Sequence, residues 1–169
     1  EPLDIWRGID IDGKNLFHRF YENAPKYAFL FQLFVLLSFK RIVDKYNSGV
    51  VFIERSFDAQ INVFAKYHYT KGNISEIEYK IYKVYYDYMS KCPDSRIIYL
   101  RANPNICIDR IRARNRIEES NINLDYIQEL HNLHESFIDT YSACINTEDN
   151  SVGCIANEII AKFNDKNIF

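Results

Sequence analysis

Val50-Val51-Phe52-Ile53-Glu54-Arg55-Ser56 is an unbroken apolar run that ends on a charged pair and a serine. Four apolar residues without polar alternation fit a strand buried on both faces of a parallel sheet. Gly49 releases the chain into this run. Before it, the pattern predicts a helix over Asn15 to Asn23 and a second from Pro25 to Tyr46, with Pro25 suited to a first turn. After it, a helix is expected from Asp58 to Tyr69. Asn73-Ile74-Ser75-Glu76 has the form of a capping box, opening a helix to about Ser90. Arg96 to Leu100 reads as the next strand, and Asn103-Pro104 caps and starts another helix. Leu124 to Thr140 predicts a helix, Ala143 to Asn146 a short strand, and Val152 to Phe163 a last helix. Strands that alternate with helices specify an α/β domain with a parallel sheet.

The 169 residues fit one domain, 1–169, and a 47% hydrophobic share supplies its core. A net charge of −2 argues against a general nucleic-acid binder or a membrane-surface protein. Cys92, Cys107, Cys144 and Cys154 lack metal-like pairing and read as reduced intracellular thiols. A cytoplasmic location is expected, or a mitochondrial one if a transit peptide lies upstream. The apolar stretch Tyr27 to Leu37 is too short to span a bilayer and reads as a buried helix. The chain has no initiator Met and no signal peptide, so its start looks cut or processed.

Several residues stand out for chemistry. Arg110, Arg112, Arg114 and Arg116 fall within seven positions and repel one another unless an anion or nearby acids compensate. Arg110 and Arg114 share a helix face, whereas Arg112 and Arg116 point elsewhere. Guanidinium groups grip phosphate oxygens bidentately, so a phosphate-closing lid fits, as do a solvated helix face and a small RNA-binding patch. Gln32 sits inside Phe29-Leu30-Phe31-Gln32, where an amide is costly unless it has something to bond. Glu54-Arg55 lies past the carboxyl end of a predicted strand, the edge where open α/β sheets bind ligands; the alternative is a surface ion pair. His131 and His134 are three apart like a metal pair, but no other ligand cluster accompanies them, and they read as structural. Tyr79, Tyr82, Tyr85, Tyr86 and Tyr88 give one helix a broad aromatic face for burial or dimer packing.

Taken with Glu1-Pro2-Leu3-Asp4-Ile5-Trp6, with Ile122-Asn123-Leu124-Asp125-Tyr126 and with Leu130-His131-x-x-His134-Glu135, these segments resemble the deoxynucleoside kinase family from Glu1 to about Glu148. The resemblance implies a P-loop kinase-like three-layer α/β/α fold with a parallel sheet and a lid at about 110–120. It implies transfer of the ATP γ-phosphoryl group to the 5′-hydroxyl of a deoxynucleoside, with ATP and Mg²⁺ required. By resemblance Glu1 takes the hydroxyl proton, Arg55 contacts the 5′-oxygen and the moving phosphate, and Glu54 supports Mg²⁺. Arg110, Arg114 and Arg116 line the ATP phosphates. Tyr21 and Glu119 share the sugar 3′-hydroxyl. Gln32 reads the base edge, Phe31 and Phe64 take its two faces, and Trp6 and Val35 wall the pocket.

Phe39 and Gln60 stand where cytidine- and purine-preferring members carry an arginine and an aspartate, which favours a pyrimidine. Phe17 and Phe20 narrow the pocket against purines. The family's Gly-rich phosphate loop lies ahead of the Glu-Pro motif and is absent from this sequence, as is the central strand that precedes it. The resemblance therefore implies roughly fifty further residues before Glu1. A homodimer is expected, with no nucleic-acid or membrane partner. The rival readings are a nucleoside-binding relative without ATP chemistry and a nucleic-acid binder built on Arg110 to Arg116.

Overall fold

The computed structural model describes residues 2–46, 50–90, 95–137, 141–148 and 150–164. The chain divides into two compact units, Glu1–Pro93 with Asn115–Ile122, and Asp94–Arg114 with Asn123–Phe169.

The first unit is built round its longest helix, α3 (Ala24–Val43). Asn23 caps it, its side chain accepting from the Lys26 amide, and Pro25 sits in its first turn. Ala28, Phe31, Gln32, Val35, Leu36 and Phe39 recur at helical spacing and form its buried stripe. Against that stripe pack α1 (Leu3–Arg7) and α2 (Leu16–Glu22), the latter capped by Asn15. Between them lies a hairpin absent from the sequence reading, β1 (Asp10–Ile11) with β2 (Lys14–Asn15). Asp12 and Gly13 both take positive φ, 52° and 75°, as a primed two-residue hairpin turn requires.

The expected helix from Asp58 to Tyr69 is present but irregular. α4 (Phe57–Ala59) runs into a π-helical segment, Gln60–Ala65, and on into α5 (Lys66–Thr70). The Ser56 hydroxyl caps its start. α6 (Glu76–Met89) opens on a capping box, made by Ser75 and Glu78 rather than by Asn73 and Glu76. Asn73 instead bonds the buried ring of His68 (Nδ2 to Nδ1, 3.2 Å).

The strand expected at Val50 to Ile53 does not form. These four residues pair with no strand among the described residues, and Val50, Val51 and Phe52 are 59%, 38% and 73% exposed. Apolar composition favours a strand only when a neighbour supplies the hydrogen bonds and the covering face.

The second unit carries the parallel sheet that the alternation predicted, as two strands, β3 (Ile98–Arg101) and β4 (Ala143–Asn146). β3 begins two residues later than expected. α7 (Pro104–Arg114) ends where Asn115 turns left-handed at φ 50°, and a 3₁₀ turn, Ile117–Glu119, belongs to the first unit. α8 (Leu124–Glu135), capped by Asn123, and α9 (Val152–Asn164) complete the chain. His131 and His134 have structural contacts in this unit. The Tyr99 hydroxyl lies 3.5 Å from His131 Nδ1, Tyr141 meets His134 Nδ1 at 2.8 Å, and the Tyr99 and His134 rings stack. Among the described residues no helix is long and apolar enough to cross a membrane. Cys107, Cys144 and Cys154 are free thiols, and Cys92 lies outside the described residues.

His68 yields a pH prediction. Burial pushes its ring down from 6.5 to about 4. Between those values the unfolded chain holds a proton that the folded chain does not, so stability must fall as pH drops from 6.5 towards 4. The loss approaches roughly 3 kcal/mol below pH 4. Urea midpoints at pH 7 and pH 4.5 should differ more in the native sequence than in His68→Leu. Equal differences would show that His68 does not couple to folding.

Candidate functional site

The expected pocket residues gather in the first unit. Trp6, on α1, is 1% exposed, and its indole Nε1 donates to Ser38 Oγ at 3.0 Å. Its ring meets Phe17, Phe31 and Phe39 edge-on at 5.8, 5.7 and 6.3 Å. Phe31 in turn stacks on Phe17 (5.4 Å) and on Phe20 (4.5 Å). Tyr21 packs at the side of this group, 5.3 Å from Phe17 and 4.8 Å from Phe20. α1, α2 and α3 thus supply an aromatic box whose inner residues are almost dry, with Val35 fully buried in the same cluster.

Two amides break the apolar character of this core. Gln32 is 2% exposed and its Oε1 has no hydrogen-bond partner. Gln60, at the head of the π-helical segment, is fully buried with both Oε1 and Nε2 unpartnered. A buried polar atom without a partner costs about 1–3 kcal/mol, a cost sequences seldom carry without a use. π-helical turns are rare and concentrate at functional sites. Tyr82, also fully buried, leaves its hydroxyl unpartnered, and burial pushes that phenol far above its usual range.

The charged residues are distributed less simply. Arg55 lays its guanidinium over the Phe64 ring at 3.7 Å and lies 6.0 Å from the Trp6 ring. The face of Phe64 and the ring of Phe31, both expected to hold a base, are thus in contact with the protein's own side chains. Glu54 is exposed beside Arg55. Glu1 lies outside the described residues.

The arginine run is split between the units. Arg110 is held by Thr147, Nη2 donating to the carbonyl at 2.7 Å and Nη1 to Oγ1 at 3.2 Å. Arg114 is the last residue of α7. Arg116 lies beyond the helix end, so the helical-face expectation does not extend to it. It pairs with Glu119 at 3.1 Å, and that carboxylate is 5% exposed.

One buried charge was not anticipated. Glu118 is 8% exposed and takes a bidentate pair from Arg7, Nε to Oε1 at 2.7 Å and Nη2 to Oε2 at 3.0 Å. The Arg7 hydrogen bonds hold its carboxyl below the usual range. No sequence signal links residues 111 positions apart; only the adjacent acids Glu118-Glu119 could have drawn notice.

A model of the deoxynucleoside kinase family matches residues 1–167. A probable deoxycytidine kinase of fowlpox virus is 33% identical over 144 residues, covering 82% of this chain and 59% of that protein. The mitochondrial thymidine kinase 2 of Homo sapiens is 30% identical over 145 residues, covering 82% and 53%. Deoxycytidine kinase 2 of Gallus gallus is 34% identical over 139 residues, covering 75% and 52%. The chain spans about half the length of the curated relatives it matches. With the family model spanning nearly the whole sequence, this chain belongs to the deoxynucleoside kinase family.

Proposed function

We propose that this sequence forms the nucleoside-binding part of an ATP-dependent kinase that phosphorylates the 5′-hydroxyl of a pyrimidine deoxynucleoside. The observation that carries the reading is Gln32, whose unpartnered amide oxygen is buried beside Phe31 in a cluster of aromatic rings. A base edge is the partner that an amide so placed lacks, and flat rings are what a base stacks on. Phe17 and Phe20, close against Phe31, favour the smaller bases. With Phe39 apolar and Gln60 neutral, the pocket has no fixed charge at these two positions, which also suits a pyrimidine.

In this reading Glu1 is the base and Arg55 stabilises the transferred phosphoryl group. Arrival of the nucleoside base draws Arg55 off Phe64, which frees the ring for stacking and the guanidinium for phosphate. Tyr21 and Glu119 hold the 3′-hydroxyl, and Arg110, Arg114 and Arg116 gather round the ATP phosphates. Mg²⁺ is commonly held by one or two carboxylates together with substrate phosphates, and the exposed Glu54 fits that mode. When bound, the ion would neutralise phosphate charge. The three-layer P-loop kinase architecture, the single 1–169 domain and the lid at about 110–120 are part of the same proposal.

The second partner is another copy of the chain. Ile77, Ile81, Val84 and Tyr88 of α6 follow a 4-3-4 spacing on the face opposite the buried Tyr82 and are 69%, 41%, 68% and 72% exposed. A stripe of that size on a helix invites burial, and a two-fold pairing covers it with itself.

Three outcomes follow in the gene product. Arg55→Ala should lower kcat roughly a hundred- to a thousandfold. Gln32→Leu and Gln60→Leu should each raise the deoxynucleoside KM about tenfold. Gln60→Leu should also raise the unfolding midpoint, because it removes two unpaired buried atoms. Steady-state kinetics and thermal melts check all three, and unchanged KM in both glutamine variants refutes base reading. Val84→Glu should convert a dimer to a monomer by sedimentation; a dimer that survives it is held elsewhere.

A further inference from the structure

Among the described residues of the first unit, 115–122 is the only stretch that comes from beyond residue 93, and the Glu118 carboxylate joins it to Arg7 and Asn15. Glu118 receives both arms of Arg7, as above, and Asn15 Nδ2 approaches its Oε1 at 3.5 Å. Asn15 works twice, since its Oδ1 accepts the His18 amide at 2.8 Å and so caps α2. The end of α1, the start of α2 and the 3₁₀ turn Ile117–Glu119 therefore meet at a single side chain. Each strand of this junction runs directly into the aromatic box or its rim. Trp6 precedes Arg7. Phe17, Phe20 and Tyr21 follow Asn15. Glu119 follows Glu118, and its carboxylate holds Arg116. In a 3₁₀ turn successive side chains diverge by a fixed angle, so fixing Glu118 also fixes the direction of Glu119.

We infer that Arg7 and Glu118, with Asn15, form a latch that positions Glu119 and Arg116 against the nucleoside pocket. The inference rests on the kinase reading above, and it adds Arg7, Asn15 and Glu118 as positioning residues that touch neither nucleoside nor phosphate. A bidentate guanidinium–carboxylate pair suits that task, because it fixes orientation as well as distance. Lysine cannot replace Arg7 fully, since it offers a single point charge without the fork.

The test uses Arg7→Ala, Arg7→Lys, Glu118→Gln and the swap Arg7→Glu with Glu118→Arg in the gene product. Two readouts are needed. The first is the ratio of kcat/KM for a deoxynucleoside to that for its 2′,3′-dideoxy analogue, which reports on the 3′-hydroxyl contact proposed for Glu119. Arg7→Ala and Glu118→Gln should bring that ratio down about tenfold, Arg7→Lys should fall between them and the native sequence, and the swap should recover part of the loss. A general weakening of the fold would lower both substrates alike and leave the ratio where it was. The second readout is amide hydrogen exchange over 115–122, which needs no turnover. Protection there should drop in each single variant and return in the swap. An unchanged ratio or unchanged protection in Arg7→Ala and Glu118→Gln overturns the latch. Absence of turnover in the native protein, with protection still lost in the variants, would refute the kinase reading and leave the latch standing.

Discussion

The indole of Trp6 is the fixed point of the first unit. It is almost wholly buried, and it satisfies its one polar group by donating to Ser38 Oγ, which donates in turn to the Val35 carbonyl at 2.7 Å. A short chain of hydrogen bonds inside an apolar core is strong because no water competes for its members. That chain locks α1 to the middle of α3, and the rings of Phe17, Phe31 and Phe39 then take positions round the indole. The same core that satisfies Trp6 and Ser38 leaves Gln32 Oε1 and both polar atoms of Gln60 unpartnered. A fold that can meet these needs at one place and does not meet them at the next has a reason to keep the second place open to something else.

Electrostatics follow a similar division. Some ion pairs are exposed and contribute little, for example Glu76 with Lys80 on α6. In Glu118 with Arg7 and Glu119 with Arg116 one partner is almost buried. Removing the cation from such a pair strands a charge in a poorly solvated site. Arg55, by contrast, lays its guanidinium over an aromatic face.

Much of this was legible in the sequence wherever the signal was local. Pro25 falls in the first turn of α3 and Pro104 starts α7, as expected, because a helix start depends on residues within three or four positions. Gln32 stood out because an amide in so apolar a run has to be explained. The Asp-Gly pair at 12–13 is itself a local hairpin signal, and the capping box lies two residues beyond its expected place, at Ser75 and Glu78. The π-helical stretch at Gln60 has no known signature in composition. Val50 to Ile53 failed as a strand because strand formation depends on a neighbour that the run itself does not encode. The Arg7–Glu118 pair joins residues 111 apart and emerges only once the chain is folded.

Trp6 is the chain's one tryptophan, so its emission reports on the aromatic box without labelling. The most direct test of the account is a fluorescence titration of the protein with thymidine and deoxycytidine, with deoxyguanosine and a single-stranded oligonucleotide as controls. The account predicts a saturable change with a pyrimidine deoxynucleoside, a weaker one with deoxyguanosine and none with the oligonucleotide. Emission that ignores both pyrimidine nucleosides, or that responds equally well in Gln32→Leu, would contradict it.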